Sequence, residues 1–234
     1  MSKIQLVDST LNQGQDHSFT GSNPFTDATL VESYEAWYIT TGRRADRLEK
    51  ALLKRTLASF PTARTLLEIG CGTAHFTRWF ESQGLQVMGL DNSRPMLEEA
   101  KSLRSPPCLC GDALNVPLVN GSFDLVAMIT TLEFLSDPLA GMAEAFRISR
   151  QGLVLGVLNC RSRLGKQLEK NGSPPWNNAH LFTIKELVRL IRQAASGNQI
   201  KITWHTTLWS FLPFALPLPW GGFIGMSVMI NSKE

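Results

Sequence analysis

Four cysteines in 234 residues are too few for a disulfide framework. A chain of this length buries a full core without covalent staples. Charge of one sign is equally scarce: 23 Lys and Arg stand against 20 Asp and Glu, a formal net charge of +3. The densest basic run, Arg43, Arg44, Arg47, Lys50, Lys54 and Arg55, is interleaved with Asp46 and Glu49. That mixture reads as the solvated face of a helix, and the clean basic stripe of a nucleic-acid binder is missing. The opening residues MSKIQLVDST carry no apolar core, so no targeting leader is expected and a cytoplasmic location is the expectation. Between Lys201 and Lys233 there is no charged residue. A span needs about 20 mainly apolar residues. Here Pro213, Pro217, Pro219, Gly221, Gly222 and Gly225 interrupt the run, so two buried strands around a proline-rich turn are expected and no membrane span.

What is present is an alternating pattern. Residues 1–25 are polar and read as a loosely ordered arm. Leu30, Val31, Tyr34, Trp37 and Tyr38 have helical spacing, and a second helix follows Gly42, with Leu48, Ala51, Leu52, Arg55 and Leu57 on one face. From Thr65 onward, short apolar runs alternate with helical patterns: 65–69, 86–90, 107–110, 123–129 and 152–158 read as strands. Ser93 is placed to cap the helix that follows the second strand, with Pro95 in its first turn. Arg161 to Ala179 reads as a loop. Thr183 and Glu186 form a capping box for a late helix. Residues 200–206 and 223–230 are the last two strands, with no helical pattern between them. The expectation is an α/β fold: a Rossmann-like, doubly wound, seven-stranded and mainly parallel sheet with an antiparallel last strand. The arm and cap helices would occupy residues 1–60 and the core domain 61–234.

The strongest chemical signal is Leu67-Glu68-Ile69-Gly70-Cys71-Gly72-Thr73-Ala74, where a strand hands over to a helix. Two glycines let the backbone turn tightly and approach a ligand, and the free N–H groups of the next helix face the same space. Asp91 ends the second strand, where a carboxylate accepts hydrogen bonds from the ribose hydroxyls of a nucleoside. A dinucleotide fingerprint wants a third glycine where His75 stands. Glu68 is poorly matched to a pyrophosphate and better matched to a ligand with a cationic amino-acid end. Cys108 and Cys110 alternate on a strand and make no metal-binding set, so no metal is expected.

These residues resemble motif I of the class I S-adenosylmethionine-dependent methyltransferases. The resemblance runs from about Tyr34 to Ile230. It takes in Val87 to Ser93 with Met96-Leu97, Gly111-Asp112-Ala113 with Pro117, Ser122 to Val126, and Leu132-Glu133-Phe134 with Asp137-Pro138. It continues through Glu144, Arg147 and His180 to Thr183. It is similar to the broad small-molecule, type 11-like subgroup. Ala74 departs from the usual glycine, at a helix start where alanine is expected to cost little. Arg147 to Gly152 replaces a Leu-x-Pro-Gly-Gly turn.

The resemblance implies roles. Gly70, Cys71 and Gly72 would lie against the methionine moiety of S-adenosylmethionine, with Glu68 near its cationic end, and Asp91 would hold the ribose. Asn92 and Met96 would flank the adenine, Asp112 would accept from its amino group, and Ala113 would offer its backbone N–H. Thr130 and Leu132 would contact the methionine end. Tyr34 or Tyr38 would cover the cofactor. Substrate-side candidates are Tyr38, Trp176, His180, His205 and Trp209, and no catalytic residue is singled out. The implied activity is methyl transfer to a small-molecule acceptor, with S-adenosylhomocysteine as product. Nothing demands more than a monomer. A non-catalytic module binding S-adenosylmethionine or S-adenosylhomocysteine and an NAD-dependent oxidoreductase stay open as alternatives. A nucleic-acid methyltransferase is disfavoured, because Pro174-Pro175-Trp176 follows the fifth strand rather than the fourth.

Overall fold

The computed structural model describes residues 24–172, 174–208 and 214–231. Seven strands form one sheet: β1 (Thr65–Ile69), β2 (Gln86–Asp91), β3 (Cys108–Cys110), β4 (Phe123–Ile129), β5 (Ser149–Leu158), β6 (Ile200–Thr207) and β7 (Phe223–Ile230). Their order is β3-β2-β1-β4-β5-β7-β6. The first five strands are parallel, and β7 runs antiparallel to both β5 and β6. The expected topology is therefore observed, with β7 inserted between β5 and the edge strand β6. The order reverses between β1 and β4, so a crevice opens outside their carboxyl ends.

Period-two alternation sends each strand's side chains to two helical layers. Val126 and Met128 join the cluster that holds Met142 and Phe146 of α5 (Pro138–Ile148) with Leu187 and Ile191 of α7 (Ile184–Ala194). Leu125, Ala127 and Ile129 join the opposite cluster. That cluster holds Leu52 and Leu53 of α2 (Arg43–Leu57) and Phe76 and Phe80 of α3 (His75–Ser82). All seven residues of β4 are buried. Each large apolar side chain removed from water stabilises the fold by roughly 1.5–3 kcal/mol.

The buried face of α2 is Leu48, Glu49, Leu52, Leu53 and Thr56, while Ala51 and Arg55 are exposed. The expected face is thus rotated by about one residue, and it carries a carboxylate into the protein. Burial pushes the Glu49 carboxyl up to about 8, helped by the neighbouring charges of Asp46 and Glu133 and opposed by Lys50. The stretch read as a loop contains a further helix, α6 (Arg163–Asn171). Ser162 caps it by accepting the Gly165 N–H, and Gly172 ends it in the left-handed region. Ser93 caps α4 (Arg94–Ser102), and the Thr183–Glu186 capping box opens α7, both as expected. No helix among the described residues is long and apolar enough to cross a membrane.

Candidate functional site

The β1–α3 loop turns because Gly70, Gly72 and Ala74 all take positive φ, at 73°, 52° and 62°. The N–H groups of Gly70 and Cys71 both donate to the Leu90 carbonyl on β2 (2.7 and 3.1 Å). Gly72 N–H donates to Asp91 Oδ2 and Ser93 N–H to Asp91 Oδ1, each at 2.8 Å. Asp91 therefore holds the glycine loop and the start of α4 together. A carboxylate offers about four acceptor directions, so Asp91 can also accept from a ligand. Ala74 caps α3 from the left-handed region. That conformation costs an L-residue roughly 1–2 kcal/mol. The expectation that alanine is cheap here is corrected: the turn survives at a conformational cost that the usual glycine avoids.

Beyond the loop lies a cavity of about 630 Å³, within the usual range for small-ligand sites, about 300–1,000 Å³. Gly70, Gly72, Asp91, Asn92, Met96, Asp112, Ala113, Thr130 and His180 line it. With Tyr34 of the N-terminal helix they make ten of the seventeen site residues expected from the sequence, the others coming from the tips of β1 to β4, the start of α4 and the loop before α7. Asp91, Asp112 and Glu133 bring carboxylates to the wall, and among the lining residues there is no Lys or Arg. A pyrophosphate would meet negative charge and no cation there. A nucleoside carrying a sulfonium and an ammonium group matches the wall, and two of the carboxylates stand at the β2 and β3 tips, where ribose and adenine donors are expected.

Six expected residues lie elsewhere. Tyr38 is buried and stacks on His75, with ring centroids 3.6 Å apart and planes 9° apart, so it does not face the cavity. Tyr34, one helical turn earlier on α1 (Ala28–Ile39), lines it instead. Cys71 packs against Gly89: a Cβ there would stand 2.6 Å from the Cys71 sulfur and 3.0 Å from that of Cys108. Leu132 is in the core. His205 sits on the edge strand β6, with β7 and β5 between it and β4. Burial and the nearby Arg55 hold its imidazole below the usual range. Glu68 faces the helical layer, where Thr77 Oγ1 donates to its Oε2. Trp176 stands behind the wall, its ring 5.6 Å from that of Phe134. Trp209, the remaining expected residue, lies outside the described residues.

Burial pushes the Glu68 carboxyl up to about 8, against the Thr77 hydrogen bond and Arg78, with Cys108 and Asp91 adding to the rise. A carboxyl raised in the folded state stabilises fully below its unfolded value, near 4.5, and that stability is lost as pH rises through about 8. The loss amounts to at most about 1.4 kcal/mol per pH unit. A Glu68→Gln variant should therefore melt close to wild type at pH 5 and clearly above it at pH 9 in a thermal scan. Glu49 gives the variant a residual slope of the same sign. Equal pH dependence in both proteins would show that Glu68 is not buried as described.

Several residues on the wall were given no site role from the sequence, Phe25, Thr131 and Glu133 among them. Phe25 sits in a 3-10 turn, Pro24–Thr26, whose carbonyl accepts from Ser93 Oγ at 2.7 Å. The end of the arm is thus seated on the cavity. Thr131 Oγ1 donates to the Ile69 carbonyl and ties the end of β4 to the end of β1. Glu133 lies in the turn Leu132–Phe134, and its burial raises its carboxyl to about 7. On the opposite wall, α1 is clamped to the glycine loop: Glu35 accepts from Thr73 Oγ1 and, through both oxygens, from Arg78.

The profile of a family described as "Methyltransferase domain" matches residues 67–155, from β1 into β5. A crystal structure from Thermotoga maritima, named as a SAM-dependent methyltransferase, "possible histamine N-methyltransferase", has 30% identity and a TM-score of 0.71. The match covers 87% of this chain and 98% of that one. Malonyl-[acyl-carrier protein] O-methyltransferase of Serratia marcescens is 34% identical over 91 residues, 38% of this chain and 36% of that protein. Demethylmenaquinone methyltransferase of Beutenbergia cavernae is 32% identical over 157 residues, 65% of this chain and 60% of that protein. The chain thus spans less than two thirds of these two relatives and nearly all of the Thermotoga protein.

Proposed function

Since this chain belongs to the S-adenosylmethionine-dependent class I methyltransferases, we propose that it methylates a small-molecule acceptor held in the cavity outside β1 and β4. When bound, S-adenosylmethionine supplies a methyl group on an already activated sulfonium. The protein's part is then to orient two reactants and keep water out. Asp91 would hold the ribose hydroxyls, Asp112 and the Ala113 N–H the adenine edge, and Met96 and Leu90 its faces. Gly70, Gly72 and Thr130 would border the methionine end. Phe25 and Tyr34 would cover the assembly.

The observation that carries this reading is the acid-lined cavity at the point where the strand order reverses. It also argues against the nicotinamide alternative, whose pyrophosphate would find no cation on the wall. The relatives are named for dissimilar acceptors: malonyl-[acyl-carrier protein], demethylmenaquinone and, in the Thermotoga protein's "possible histamine N-methyltransferase", histamine. The acceptor must therefore be argued from this chain's own cavity.

Calorimetric titration with S-adenosylmethionine, S-adenosylhomocysteine and NADH tests the proposal. Saturable heat is expected with the first two and none with NADH. A folded protein that binds neither sulfur nucleoside would overturn it.

A further inference from the structure

Glu133 is only 1% exposed. One carboxylate oxygen, Oε1, accepts the Leu158 N–H at the end of β5 (2.7 Å). The other, Oε2, has no hydrogen-bond partner. An unsatisfied buried carboxylate oxygen costs several times what an ordinary hydrogen bond contributes, and native proteins rarely carry one without a use. The turn that bears it is fixed, because the Glu133 carbonyl accepts the His180 N–H at 2.8 Å. Glu133 and Asp91 line the same cavity. The wall beside it is aromatic. Phe134 follows it in the chain, Phe25 meets Phe134 edge to face at 4.9 Å, and Tyr34 meets Phe25 edge to face at 6.5 Å. All three rings line the cavity.

A buried carboxylate with an unpartnered oxygen, in a cavity walled by aromatic residues and without Lys or Arg, suits an organic cation. Resting on the methyltransferase reading above, we propose that the acceptor is a primary or secondary amine carried on an apolar or aromatic group, and that Glu133 Oε2 receives its ammonium proton. An ammonium ion has no lone pair and cannot attack a methyl carbon. Transfer of one N–H proton to Oε2 leaves a neutral amine with its pair free and a neutral carboxyl group. The carboxyl returns the proton to solvent when product leaves.

The groups around Glu133 suit this exchange. The Leu158 N–H of β5 and the Glu133 backbone N–H favour its ionised form, the Glu133 charge in turn raises the Glu49 carboxyl of α2, and His180 and Tyr34 stand on the same wall. Burial is the largest influence and raises the carboxyl to about 7, within reach of a general base working near neutral pH. A neutral alcohol would gain nothing from the cation site.

The test uses the full chain saturated with S-adenosylhomocysteine, titrated calorimetrically with 2-phenylethylamine and with the neutral 2-phenylethanol. Wild type is expected to bind the amine at least tenfold more tightly at pH 8, and to lose that preference as pH falls from 8 to 6. This pH arm needs no variant. Glu133→Gln preserves an acceptor for Leu158 and is expected to bind both probes alike, with its affinity for S-adenosylhomocysteine changed less than twofold. Equal binding of the probes by wild type, or a preference surviving in Glu133→Gln, overturns the inference. Loss of S-adenosylhomocysteine binding in Glu133→Gln assigns the carboxylate to the cofactor and overturns it too. Failure of wild type to bind S-adenosylhomocysteine overturns the methyltransferase cavity itself, and is told apart by that first titration.

Discussion

An Asp91→Ala variant is expected to bind S-adenosylhomocysteine at least a hundredfold more weakly than wild type. The carboxylate ends β2 at the mouth of the crevice, and both oxygens are already oriented by the Gly72 and Ser93 N–H groups. Hydrogen bonds to a charged acceptor contribute about 1.5–3 kcal/mol each. Two ribose hydroxyls therefore bring about 3 kcal/mol or more, and each 1.4 kcal/mol is tenfold in affinity. Asp91→Asn keeps the shape and one acceptor oxygen, so it should lose about tenfold. The alanine also leaves the Gly72 and Ser93 N–H groups without their partner, so titrations belong well below the variant's melting temperature. A folded Asp91→Ala protein within tenfold of wild type would remove Asp91 from the ribose site. Burial already disfavours the Asp91 carboxylate, with the Gly72 and Ser93 N–H groups opposing. Wild-type affinity should accordingly weaken as the solution is acidified, and the Asn variant should not follow.

How much of this was legible in the sequence differs from element to element. β4 was legible because seven consecutive buried residues leave no other reading. The start of α7 was legible because a capping box is a local signal. α6 was not: only Leu164 and Leu168 pack against the core, and two apolar residues do not establish a period. The same limit applies to α2, where a run of charges reads as solvated although Glu49 is buried beneath it. At the site, the glycines and Asp91 could be placed because a strand–turn–helix fixes their geometry locally. Choosing between Tyr34 and Tyr38 was out of reach. They lie four residues apart on one helical face, and His75, from α3, takes Tyr38. Phe25 is placed by Ser93, 68 residues further on. Glu133 was legible as part of a motif, but a lone oxygen left without a partner is a property of three elements meeting. Sequence spacing cannot carry that.

The two loop glycines are expected to fail in different ways when replaced by alanine, and the contrast tests the site's construction. Both have positive φ, so either methyl costs about 1–2 kcal/mol in backbone conformation. At Gly70 the new Cβ would stand 2.3 Å from Thr131 Cγ2 and 2.5 Å from its Oγ1. Thr131 cannot give way easily: it is buried, and its hydroxyl bonds the Ile69 carbonyl across the β1–β4 crevice. Overpacking adds about 1–3 kcal/mol. Gly70→Ala should thus lose about 2–5 kcal/mol, roughly 5–20 °C in melting temperature for a chain of this size. At Gly72 the nearest atom is Met96 Sδ at 4.0 Å, so the methyl meets no protein and points into open cavity. Gly72→Ala should melt about 2–8 °C below wild type on the conformational cost alone. The same methyl would occupy space meant for the methionine end of the ligand, and should weaken S-adenosylhomocysteine binding tenfold or more. Thermal scans with and without S-adenosylhomocysteine separate the cases. Gly70→Ala should show a low melting point in both, and Gly72→Ala a higher one that the ligand no longer raises. A Gly72→Ala protein still raised by ligand as wild type is would mean that the nucleoside does not pass over the glycine loop, and the cavity would need another occupant.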